Sequence, residues 1–150
     1  MCQRILVPLD GSPVAEAALE AASRLLSPEG GELVLVRMQD SSQAHDLDTN
    51  RYGDYLGLVA ERWRRPGRRV SQQVLDHELR MAQGLARAAE SNACDMVVLT
   101  SRGRSGLERV LAGSVAEEVA RISTRPVLIL GPHTPEVRRI KNELQLMSKF

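Results

Sequence analysis

Apolar and polar positions along the chain switch repeatedly between two periods. Ile5-Leu6-Val7-Pro8-Leu9 is a short unbroken apolar run that stops at Asp10-Gly11, the pattern of a strand buried on both faces. Ser12-Pro13 supplies a capping residue and a proline suited to the first helical position. Ala15, Ala18, Leu19, Ala22, Leu25 and Leu26 then recur at helical spacing. Pro28 to Gly31 breaks that helix, and Glu32 to Met38 reads as a second strand. The polar stretch Gln39 to Asn50 is loop-like. Tyr55, Leu58, Val59, Arg62 and Trp63 predict a helix over 52–65, stopped by Pro66-Gly67. Val70 to Leu75 is a more polar strand that alternates only in part, which predicts a less buried place in the sheet. A helix over 78–91 follows, with Leu79, Ala82, Leu85, Ala86 and Ala89 inward. Met96 to Leu99 is the next buried strand, Val115 to Ile122 a helix, and Pro126 to Leu130 the last strand.

Strands that alternate with helices predict an α/β fold, an open five-stranded parallel sheet with helices on both faces, because each parallel crossover needs a covering element. A single domain over 1–132 accounts for this pattern. Beyond Gly131-Pro132, Val137, Ile140, Leu144 and Met147 fall at helical spacing. The tail 133–150 is therefore a candidate amphipathic helix, to be packed on its own domain, on a partner subunit, or placed within a linker.

Composition narrows the function classes. The 150 residues are 43% apolar and only 3% aromatic, so the core rests on Val, Leu, Ile and Ala. Net charge is +1, which gives no general reason to expect nucleic-acid or membrane binding. Cys2 and Cys94 form no CxxC pair, and no apolar run approaches the ~20 residues of a membrane span. A reduced, cytoplasmic setting is expected. His45, His77 and His133 are scattered, without metal-ligand spacing. No Ser-His-Asp order or paired carboxylates suggest a catalytic set.

Ligands of open α/β sheets sit beyond the carboxyl ends of the strands. Two such ends carry chemistry, Pro8-Leu9-Asp10-Gly11-Ser12 and the longer segment from Thr100 to Ser114. Gly113-Ser114 opens a helix whose first free amides and dipole favour an anion, and Arg102 and Arg104 add positive charge. Ser114-Val115-Ala116-Glu117 also fits a capping box, so the Ser114 hydroxyl has both a structural and a ligand reading. Asp10-Gly11 is similarly a turn signal as well as a possible ligand contact. Arg62, Arg64, Arg65, Arg68 and Arg69 cluster around Pro66-Gly67 and read best as the solvated, cation-favouring end of a helix. Neither GxxxxGK[ST] nor GxGxxG is present, which excludes a P-loop and disfavours a Rossmann dinucleotide site.

The stretch Gly103-Arg104-Ser105-Gly106-Leu107-Glu108-Arg109-Val110-Leu111-Ala112-Gly113-Ser114-Val115-Ala116-Glu117 strongly resembles the universal stress protein family. Nucleotide-binding members of that family carry G-x2-G-x9-G-[S/T] here; Gly103, nine residues, Gly113 and Ser114 reproduce its second half. Ile5 to Ser12 also resembles the family's first strand and turn, and matching elements run from about Arg4 to Leu130. The resemblance implies binding of ATP or another adenine nucleotide, with Mg2+ only through the nucleotide and any ATP hydrolysis slow. It implies Asp10 near the ribose, Pro8 and Met38 at strand ends beside the nucleotide, and Gly103, Gly113, Ser114 and Val115 on the phosphate side. Thr100 replaces the signature's first glycine; its branched side chain narrows the entrance or donates a hydrogen bond to the ligand. The resemblance further implies a homodimer, formed partly through Val127 to Leu130, and an unidentified protein client. Two alternatives remain: a member that binds no nucleotide and acts through association, and an ATP pyrophosphatase, whose glycine- and serine-rich first loop Asp10-Gly11-Ser12-Pro13 does not supply.

Overall fold

The computed structural model describes residues 1–38, 49–75, 80–101 and 114–150. In these, five parallel strands alternate with helices: β1 (Arg4–Pro8), α1 (Pro13–Leu25), β2 (Gly31–Met38), α2 (Thr49–Trp63), β3 (Arg68–Leu75), α3 (Met81–Ser91), β4 (Met96–Thr100), α4 (Ser114–Ile122), β5 (Val127–Leu130) and α5 (Pro135–Met147). The sheet order is β3-β2-β1-β4-β5. The α/β architecture read from periodicity is the one observed.

Successive strand residues feed opposite faces, which splits the core in two. Ile5, Val7, Leu33, Leu35 and Val98 meet α1, α2 and α5 on one face. Leu6, Val34, Val36, Val97 and Leu99 meet α3 and α4 on the other. Alanines at Ala15, Ala18 and Ala22, and at Ala82, Ala88 and Ala89, are all buried; their small side chains let the helices lie close to the sheet. Cys94 is completely buried, as a small core residue. At the amino end, Asp95 Oδ2 accepts from the amides of Gln3 and Arg4 at 2.8 and 2.9 Å and ties the start of β1 to β4.

Two apolar residues at helical spacing lie outside the buried stripes. Leu25 is 36% exposed and Leu58 is 69% exposed. The chain leaves the helical conformation at Leu26, whose extended backbone turns that side chain inward in place of Leu25. In α2 the buried stripe is Leu56, Val59 and Ala60, because this helix packs on β3 and β2. The start of the helix expected from Glu78 and Leu79 lies outside the described residues.

α5 packs on its own domain. Val137 is 1% exposed, and Glu136, buried at 7%, accepts from Arg24 Nη1 of α1 at 2.9 Å. Arg139 pairs with Glu20 of α1. Among the described residues no helix is long and apolar enough to cross a membrane.

Candidate functional site

The sheet order dictates where a crevice opens. From β1 the chain proceeds outward to β2 and β3; from β4 it proceeds the other way, to β5. β1 and β4 are adjacent and parallel, with Ile5 opposite Met96 and Leu6 opposite Val97. Their connections therefore diverge at the carboxyl ends, the switch point at which open α/β sheets bind ligands.

At the β1 end, Leu9 N donates to Val36 O at 2.8 Å, which holds the chain against β2 for one residue past the strand. Asp10 is half-buried, and its Oδ1 accepts from Ser12 N at 2.8 Å. The turn reading of Asp10 is therefore satisfied through one carboxylate oxygen. Ser12 caps α1, its Oγ accepting from Ala15 N at 3.2 Å, with Pro13 in the first turn. Gly11 between them has φ +88°, and a Cβ there would stand 3.1 Å from Arg37 Nη1. Left-handed backbone and this close approach both call for glycine.

Arg37 draws in a group of residues that periodicity alone did not single out as functional. Its guanidinium lies 5.1 Å from the centroid of the Tyr55 ring, a cation–π contact. The Tyr55 hydroxyl donates to Glu16 Oε1 at 3.2 Å, and Arg62 Nη2 donates to the same oxygen at 2.6 Å. Burial, then the negative charge of Glu16, pushes the Tyr55 hydroxyl well above its ordinary range, so it remains a donor. One signal was available in the sequence: Arg37 is the one basic residue in the run Glu32 to Met38, placed beside the strand end.

Of the other predicted residues, Pro8 is half-buried and pairs with Val36. Met38 ends β2 opposite Leu75. Thr100 ends β4, half-buried and opposite Leu130; Ser101 N then donates to Leu130 O at 2.9 Å. Ser114 begins α4, and Val115 packs against the second core face. Arg102, Gly103, Arg104 and Gly113 lie outside the described residues. The structure thus brings Pro8, Asp10 and Thr100 to the ends of two adjacent strands. Met38 stands at the end of the next strand out.

A sequence profile described as the universal stress protein family matches residues 1–131. A universal stress protein of Methanocaldococcus jannaschii is 25% identical over 85% of this chain and 81% of its own length. One from Mycobacterium bovis is 34% identical over 83% of this chain, which spans 44% of that longer protein. A universal stress protein solved in complex with cAMP superposes with a TM-score of 0.66 at 22% identity, covering 87% of this chain and 97% of that one. The Archaeoglobus fulgidus protein in complex with dAMP gives a TM-score of 0.66 at 19% identity, covering 85% and 96%. The family match takes in every strand of the sheet and stops just short of α5, and on that extent the chain belongs to the universal stress protein family.

Proposed function

We propose that this protein binds an adenine nucleotide at the switch point between β1 and β4 and acts through binding rather than turnover. The observation that carries the reading is the Asp10-Gly11-Ser12 turn at the end of β1. One Asp10 oxygen is fixed by Ser12 N, which orients the carboxylate, and Gly11 keeps the adjoining turn exposed beside the Arg37 guanidinium. A carboxylate beyond the first strand is suited to accept from ribose hydroxyls. Related structures hold cAMP and dAMP, which supports an adenine nucleotide as the ligand. In this reading Pro8, Met38 and Thr100 flank the nucleoside. Arg102, Gly103, Arg104, Gly113, Ser114 and Val115 serve its phosphates, and Mg2+ arrives only with the nucleotide.

Isothermal titration with ATP, AMP, dAMP and cAMP tests it. Asp10→Asn keeps the oxygen that accepts from Ser12 and removes the charge. It is expected to weaken ribonucleotide binding about tenfold or more, the loss of a charge-assisted hydrogen bond, with little effect on dAMP if the contact is to the 2′-hydroxyl. No saturable heat at millimolar nucleotide would overturn the proposal.

A second reading, action through homodimerisation and a protein client, is favoured by β5. This edge strand is wholly apolar, with Leu128 36% exposed. Both roles are compatible with a cytoplasmic protein whose two cysteines are free thiols.

A further inference from the structure

The opposite end of the sheet holds a second concavity, of about 310 Å3, between the loop after α1 and the turn before β3. It lies at the amino ends of the strands, a full length of β1 (five residues, roughly 16 Å) from the switch point. Its volume falls at the lower end of the ~300–1,000 Å3 typical of small-molecule sites.

Two backbone-pinned turns form its walls. On one side Cys2 N donates to Leu25 O at 3.1 Å, Ser27 N to Cys2 O at 2.8 Å and Gly30 N to Ser27 O at 3.2 Å. On the other, Arg68 N donates to Arg65 O at 2.9 Å across Pro66-Gly67, with Gly67 at φ +77°. The turns touch: a Cβ on Gly30 would stand 3.1 Å from Gly67 O. The concavity therefore exists before any ligand arrives, which reduces the ordering cost of binding.

Its charge is unbalanced. Arg24, on the rim, is held by Glu20 and Glu136. Arg65 and Arg68 have no carboxylate partner among the described residues. Arg65 Nη1 donates to the carbonyls of Arg62 and Arg64 at 2.9 and 2.8 Å, and Arg68 Nη1 to Trp63 O at 3.4 Å. Those contacts hold the two side chains in place without neutralising them. A solvated helix end explains the positive charge but not a preformed concavity that Arg65 and Arg68 both line.

We propose that this concavity is a binding site for a small phosphate-bearing molecule, engaged by the Arg65 and Arg68 guanidinium groups against Leu26. Arginine suits this task because its planar fork matches phosphate oxygens two at a time. The site is independent of the nucleotide reading, since no residue is shared with the β1–β4 crevice.

The test is site-resolved amide NMR of the full chain titrated with pyrophosphate and, separately, phenyl phosphate, at constant ionic strength set with sodium chloride. The expected result is saturable shifts at residues 27–31 and 65–68. Stronger binding of pyrophosphate identifies a free oligophosphate as the source; stronger binding of phenyl phosphate identifies a phosphate monoester with an apolar part. The double variant Arg65→Gln/Arg68→Gln should weaken either probe about tenfold or more while leaving the thermal melting curve in place. Arg65→Lys/Arg68→Lys, which keeps charge and loses the fork, should fall between. Absence of saturable shifts at these residues in the wild-type protein overturns the proposal. So does equal affinity in the wild type and the folded glutamine variant.

Discussion

The Gly11 position shows how closely turn and site are fitted together. Gly11→Ala meets two costs, a φ of +88° that an L side chain resists and a Cβ 3.1 Å from Arg37 Nη1. The first is worth about 1–2 kcal/mol; the second is relieved if the Arg37 side chain moves. Urea denaturation should therefore show Gly11→Ala destabilised by about that amount, and Arg37→Ala in the same background should recover only the steric part. Cys94 supplies a pH prediction. Burial pushes its thiol from 9.0 up to about 11, so in the window between those values the unfolded chain ionises while the folded one stays neutral. The unfolded state then binds fewer protons, and stability falls as pH rises through that window. Replacing Cys94 by Ala should flatten the fall in denaturation midpoint between pH 9 and pH 11. A Cys94→Ala slope as steep as the wild type's would place the alkaline loss elsewhere. At this scale Asp10 was legible in the sequence, since an acidic residue directly after a buried strand stands out. The grouping of Arg37, Tyr55 and Glu16 was not, because it joins three elements whose juxtaposition depends on the fold.

Among the elements, the strands and helices with apolar faces were read close to their true bounds, and polar margins account for the misses. α2 begins at Thr49 rather than near Tyr52, because Thr49, Asn50 and Arg51 carry no apolar period to mark them. It ends at Trp63, where Arg64 N still reaches Ala60 O at 3.0 Å and Pro66 bars Arg65 from helical backbone. The fate of the tail was open in the sequence because an amphipathic stripe names no partner. The structure supplies one in α1. Val137 sits 1% exposed between the helices, and two carboxylate–arginine contacts flank it. Val137→Ala should cost about 1.5–3 kcal/mol, two buried methyl groups at about 0.8 kcal/mol each plus the cavity they leave, measured by chemical denaturation. Glu136→Gln should cost less, because Arg24 is well exposed and keeps Glu20 as a partner. If Val137→Ala were neutral, α5 would not be anchored to α1 in solution.

At the scale of the whole molecule, the two edges of the sheet are not equivalent. β3 exposes Arg69, Gln72 and Gln73 along its length, polar side chains of the kind that discourage a further strand from pairing. β5 reads Val-Leu-Ile-Leu and has no charged residue. Strand order could not be read from the sequence, since every parallel crossover is compatible with several neighbours, yet the greater polarity of Val70 to Leu75 already pointed to a less buried strand. An apolar edge strand with no charge of its own invites association, and a second copy of β5 offers the matching surface. The proposed homodimer then predicts that Leu128→Lys, a charge on the edge at a residue already 36% exposed, yields a folded monomer by light scattering. Nucleotide titration of that monomer separates the two functional readings. Retained affinity would make binding a property of the single sheet, whereas lost affinity would tie the switch-point crevice to the assembled pair. A variant that stayed dimeric at micromolar concentration would show that the copies meet through another face.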